Sequence, residues 1–117
     1  MPLPDELNWI AQTIFDKKGM NILCLDMRGV SSMADFFMIA EGTVERHVSA
    51  IAQAVVDVLE QKGIKPNHVE GLKRGDWIVI DYVDIVVHLL ESEVREYYGL
   101  EEIWRQGKVV SLKIDLS

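Results

Sequence analysis

Asp81, Asp84 and His88 sit inside the apolar run "DYVDIVVHLL", residues 81–90. Two carboxylates and an imidazole this close in sequence are residue types that hold a divalent metal for phosphoryl transfer, with Asp35 as a further ligand. The same groups could instead be the polar points of a surface that grips another macromolecule. Strand geometry weakens the metal reading. Side chains alternate between faces, so Asp81 and Asp84 point to opposite sides of a continuous strand. In a hairpin, Asp84 falls in the turn. "GLKRG" (71–75) lacks the spacing and the following helix of a phosphate-cradling loop. His47, His68 and His88 are far apart, and a single cysteine completes no zinc-ligand pair. Ser31, Ser32 and Ser49 lie in no nucleophile elbow. The expectation is therefore no catalytic residue, no metal site and no cofactor. A metal-dependent nucleotidyltransferase using Asp81 and Asp84 is the alternative.

The elements that would position these residues follow from hydrophobic periodicity. Leu7, Ile10, Ala11, Ile14 and Phe15 recur at helical spacing, with Asp5 at an N-cap position and Gly19 at a stop. "ILCLDM" (22–27) and "FFMIAE" (36–41) read as strands separated by "RGVSS". A second helix, capped by Thr43 and ended by Gly63, buries Val44, Val48, Ile51, Ala52, Val55, Val58 and Leu59. "KPNHVEGLKRGD" (65–76) is a loop with a short strand at its middle. "WIVIDYVDIVVHLL" (77–90) is too long for an average strand of about five or six residues. Folded as a hairpin with Val83 and Asp84 at the turn, it sorts cleanly. One face is Ile78, Ile80, Tyr82, Ile85, Val87 and Leu89, and the other is Trp77, Val79, Asp81, Val86, His88 and Leu90. The weak point is Val83, where such a turn favours Gly or Asn. "ESEVREYYG" (91–99) reads as a short helix capped by Ser92 and stopped by Gly99. "LEEIW" is expected to add another helical turn, and "KVVSLKIDL" (108–116) alternates as a half-buried edge strand. The result is an α/β (α+β) fold, a mixed sheet packed with helices, in a single domain over residues 1–117.

The chain has 117 residues and a net charge of −7, which argues against a broad grip on nucleic acid. Between Asp81 and Glu102 lie seven acids and one base, Arg95, leaving −6 in 22 residues. A solvated face is the plain reading of that run, and a surface that attracts a basic protein is the sharper one. Trp77, Tyr97, Tyr98 and Trp104 are four of the nine aromatic residues, and all lie in or beside this acidic third. Such side chains bury much area at low entropic cost and commonly anchor interfaces. The lone Cys24, in an apolar strand, is expected to be a buried thiol. No apolar run reaches the roughly 20 residues needed to cross a bilayer. The start, "MPLPDELNWIAQ", lacks the basic and apolar regions of an export signal. A cytoplasmic protein without membrane association is expected.

"ADFFMIAEG" (34–42), "RHVSAIA" (46–52), "VEG" (69–71), "WIVIDYVDIVVHLL" (77–90) and "REYYGLEEIW" (95–104) carry a resemblance. In order and spacing they resemble the signature segments of the ribosomal silencing factor, or Iojap-like, family, from about Leu7 to Trp104. The resemblance implies a nucleotidyltransferase-like topology without known catalysis. It also implies binding to the large ribosomal subunit through a basic ribosomal protein, the universal protein L-fourteen. That would block joining of the small subunit and lower translation under nutrient limitation. Carried over by position, the partner-binding residues are Trp77, Asp81, Tyr82, Asp84, His88, Tyr98, Leu100 and Glu101. Two positions depart from the family pattern: Val83 stands where Gly is usual, and Glu41 where a small or hydroxyl residue is common. The exposed sheet edge leaves room for a homodimer.

Overall fold

The computed structural model describes residues 3–99 and 105–116. Helix α1 (Glu6–Asp16) turns Leu7, Ile10, Ala11 and Ile14 inward, as their spacing requires. Asp5 occupies the N-cap position, but its side chain caps nothing. At the other end Lys18, not Gly19, takes the left-handed conformation, with φ +67°. Gly19 is needed for space, because a Cβ there would collide with the Ile14 side chain.

Strands β1 (Met20–Asp26) and β2 (Phe36–Gly42) pair antiparallel, with a register irregularity between Met20 and Leu23. Helix α2 (Glu45–Gln61) follows and buries Val48, Ile51, Ala52, Val55 and Leu59. Thr43 does not cap it as expected. Val44 holds the N-cap position, and Thr43 N–H donates to His47 Nδ1 at 2.9 Å. The other ring nitrogen of His47 lies 2.7 Å from the Lys17 carbonyl. With Nδ1 accepting from Thr43 and Nε2 facing the Lys17 carbonyl, one imidazole ties the start of α2 to the end of α1. Gly63, at φ +82°, ends α2 as its type predicts.

The loop after α2 contains β3 (His68–Glu70), and the long apolar segment is the hairpin β4 (Trp77–Asp81) and β5 (Ile85–Glu91). Its register pairs Trp77 with Leu90, Val79 with His88 and Asp81 with Val86, as face sorting requires. Helix α3 (Ser92–Tyr98) leaves β5 directly. Ser92 is its first residue and not its cap, and Gly99 ends it at φ +56°. The six strands form one mixed sheet in the order β3-β4-β5-β2-β1-β6, with β2 and β5 parallel at its centre.

The sheet separates two apolar clusters. Helices α1 and α2 cover one face, over Cys24, Phe36, Met38, Ile78, Ile80, Val87 and Leu89. The other face holds Leu25, Met27, Ala34, Phe37, Ile39 and Leu90, with Trp77, Val86 and Val94 of α3 partly buried against it.

The C-terminal segment corrects an expectation. Only Lys108–Val109 forms a strand, β6. Beyond it the chain crosses α1, where side-chain amides replace a ladder. Lys113 N–H donates to Asn8 Oδ1 at 2.9 Å and Asp115 N–H to Gln12 Oε1 at 2.7 Å. The alternation survives without the strand: Val110, Leu112 and Ile114 pack inward, while Leu116 is exposed.

Candidate functional site: an aromatic surface with an acidic edge

The β4–β5 hairpin places Trp77, Val79, Asp81, Val86, His88 and Leu90 on the face away from α1 and α2. Trp77 Nε1–H donates to His88 Nδ1 at 3.2 Å, diagonally across the two strands. His88 is only 8% exposed, and its ring meets the Phe37 edge at 5.8 Å between centroids. Burial pushes its pKa down to about 4, so the imidazole is neutral at neutral pH and its proton resides on Nε2. A buried imidazole acting as acceptor holds the indole in place; it is not poised as a base.

Helix α3 extends the array. Tyr98 lies over Trp77 with ring centroids 5.0 Å apart, and Tyr97 meets Tyr98 edge-on at 5.1 Å. Phe37, His88, Trp77, Tyr98 and Tyr97 thus form a continuous run of rings from the sheet interior to solvent. At the outer end Tyr98 is 52% and Tyr97 82% exposed. Next to these rings is a hollow of about 510 Å³, walled by Trp77, Tyr97 and Tyr98 and edged by Asp76, Glu93 and Arg74. Asp76 is paired with Arg74 at 3.3 Å, while Glu91 and Glu96 line other hollows, with Arg46 and Arg95 respectively. Exposed aromatic area edged by carboxylates suits a partner that brings apolar surface and Lys or Arg side chains.

The expected contact residues divide into separate groups. Trp77, His88 and Tyr98 come together. Asp81 lies four residues along β4 from Trp77, about 13 Å at the usual rise. One Asp81 oxygen accepts Val83 N–H at 2.7 Å, and the other is 3.8 Å from His68 Nδ1. Asp84 sits in the turn with its side chain exposed, while its carbonyl accepts Asp35 N–H at 2.9 Å and Phe36 N–H at 3.0 Å. Tyr82 faces the helices, packed against the first cluster. Its hydroxyl is buried without a hydrogen-bond partner among the described residues, and burial raises its pKa to about 12. Leu100 and Glu101 lie outside the described residues, as does Trp104.

Val83 resolves the question its type raises. It adopts φ +75°, a left-handed conformation strained for a β-branched residue. Tyr82 N–H donates to the Ile85 carbonyl at 2.9 Å, and Asp84 N–H donates to the Tyr82 carbonyl at 3.0 Å. The turn is thus a tight one centred on Val83, and the Asp81 carboxylate holds it closed. Asp81 is committed to the backbone and Asp84 points elsewhere. Among the described residues, no three His, Cys, Asp or Glu side chains gather as a metal site would need. Cys24 lies buried on the helix side, its thiol pushed up to about 12 by burial and then by Asp26.

Tyr97 is one of the aromatic anchors expected from the sequence, though not one of the contacts carried over by resemblance, and Glu93 is neither. Their signal was the spacing within "ESEVREYYG" (91–99), which places Tyr97 four residues after Glu93 on one helix face.

By its fold the chain is a single mixed α/β domain, and its surface presents linked aromatic rings beside carboxylates. The chain belongs to the ribosomal silencing factor family: the family model described as "Ribosomal silencing factor during starvation" matches residues 1–116. It is 36% identical over 107 residues to Ribosomal silencing factor RsfS of Halalkalibacterium halodurans, covering 92% of each chain. To the Bacillus subtilis protein of the same name it is 35% identical over 102 residues, covering 87% of this chain and 86% of the relative. A crystal structure of a Chromobacterium violaceum protein, CV0518, superposes with a TM-score of 0.85 at 29% identity, covering 100% of this chain and 97% of that one.

Proposed function

We propose that this protein is a non-enzymatic, cytoplasmic repressor of translation. It binds the large ribosomal subunit through a basic ribosomal protein, the universal protein L-fourteen. By occupying that face it blocks association with the small subunit and lowers translation when nutrients are scarce. Membership of the ribosomal silencing factor family supports the ribosome as partner. The observation that carries the reading to a surface is the set of rings Trp77, Tyr98 and Tyr97 edged by Asp76 and Glu93. Net charge −7 disfavours ribosomal RNA and favours a basic protein as the contact. Trp77 and Tyr98 supply apolar anchoring, and His88 holds Trp77 in orientation. Asp84, exposed at the far end of the hairpin on the turn that Asp81 holds closed, reaches a second part of the same partner.

Sedimentation with purified subunits tests this. The protein comigrates with the large subunit and reduces the yield of joined ribosomes, and Tyr98→Ala weakens both effects. Failure to comigrate, or unchanged joining, refutes the reading. Because edge charges act chiefly on encounter, the association rate falls as salt rises, and a salt-independent rate would remove the electrostatic part.

A further inference from the structure

Helix α3 carries both exposed tyrosines, yet it has only seven residues. Isolated helices shorter than about 12 residues are marginal in water, so contacts outside the helix must hold it. One such contact is a buried charge. Arg95, in the middle of α3, is only 7% exposed. Its Nη1–H donates to the Asn21 carbonyl at 2.6 Å and lies 3.4 Å from Glu41 Oε1, whose side chain is also largely buried. Glu41 Oε1 also accepts Asn21 Nδ2–H at 3.1 Å. Asn21 stands at φ +51°, within the irregular stretch of β1. A guanidinium from α3, a carboxylate from β2 and a backbone carbonyl from β1 therefore meet at one end of the sheet.

The same helical turn connects this cluster to the aromatic surface. Gly99 N–H donates to the Arg95 carbonyl at 3.0 Å, closing the turn that contains Tyr97 and Tyr98. Tyr98 in turn packs on Trp77. A buried charge that loses its partner is costly, so the arrangement at Arg95 has one favourable geometry.

We propose that the Glu41–Arg95 pair is a positioning device for the partner surface, docking α3 on β1 and β2 so that Tyr98 is held against Trp77. Neither residue touches the partner; they act through the placement of Tyr98. The inference rests on the reading of that surface as the ribosome-binding face.

A double-mutant cycle on binding to purified large subunits tests it. Tyr98→Ala and Arg95→Met each weaken the dissociation constant by about tenfold, and the double variant is no weaker than Tyr98→Ala alone. A purely structural role would give additive losses, and additive losses overturn the proposal. Glu41→Gln keeps the shape while removing the charge. It is expected to weaken binding by about threefold in the native background and not at all beside Tyr98→Ala. It carries the test if Arg95→Met fails to fold. Full binding by both Arg95→Met and Glu41→Gln, with loss on Tyr98→Ala, refutes this inference alone. Full binding by Tyr98→Ala refutes the reading of the surface and this inference with it.

Discussion

His88 makes the stability of this protein depend on pH in a window set by one buried ring. Its pKa falls from the ordinary 6.5 to about 4 because burial beside Phe37 and Trp77 penalises the imidazolium. The unfolded chain takes up a proton here below about pH 6.5, while the folded chain resists until about pH 4. Stability from this group is therefore complete above the unfolded value and is lost as pH falls through the window. At about pH 5 the difference in proton uptake corresponds to about 2 kcal/mol, approaching about 3 kcal/mol at the acid end. The informative variant is His88→Asn, whose amide oxygen can accept from Trp77 but does not titrate. Urea unfolding of both proteins at about pH 7.5 and about pH 5 isolates the term, since the remaining titratable groups are common to both. The native protein should lose about 2 kcal/mol more than the variant between the two conditions. Equal losses would mean that the folded chain protonates His88 freely, and the argument from burial would fail.

Val83→Gly should stabilise the protein by about 1 kcal/mol, because relief of left-handed strain outweighs the added freedom of the unfolded chain; a lower urea midpoint would contradict the strain. Asp81→Ala should cost about 1 kcal/mol through the lost acceptor for Val83 N–H. Magnesium should change the melting temperature of neither the native protein nor Asp81→Ala, whereas a shift seen only in the native protein would revive a metal role. Gly71→Ala should be severe, on the order of 3 kcal/mol. Gly71 stands at φ +88°, and its added Cβ would collide with the Trp77 carbonyl. A displaced β4 would also weaken binding to the large subunit, so a variant that melts and binds like the native protein would count against the close approach.

Much of this architecture is legible in the chain, because local periodicity is a direct consequence of burial. The alternation in "WIVIDYVDIVVHLL" (77–90) favours a hairpin register that keeps the charged groups and the imidazole of both arms off the helix side, leaving only the Tyr82 hydroxyl there, and that register is found. The stripe from Val48 to Leu59 likewise specifies which face of α2 is buried, but Val44, expected in it, is exposed at the N-cap and Val58 is only partly buried. Alternation also predicts which residues of the C-terminal run point inward, but not that a ladder forms. That depended on whether β1 or α1 offered the nearer hydrogen-bonding groups, and Asn8 and Gln12 of α1 supplied them beyond Val110.

The surface divides in the same way. Residue types alone mark Trp77, His88 and Tyr98 as contact candidates beside excess negative charge. Only the fold places them in one run of rings, because the diagonal across β4 and β5 and the docking of α3 are tertiary distances. The fold likewise separates Asp81 and Asp84 from that run, whereas the opposite face of Tyr82 already followed from strand parity in the hairpin. The meeting of Glu41, Asn21 and Arg95 has no sequence signature: the three are distant along the chain and come together through strand pairing and the exit of α3 from β5. The sequence by itself determined which residues are apolar, where the chain turns and the sign of its charge. The tertiary structure decided which polar groups face one another, because those distances depend on how the strands and helices of the described residues pack at once.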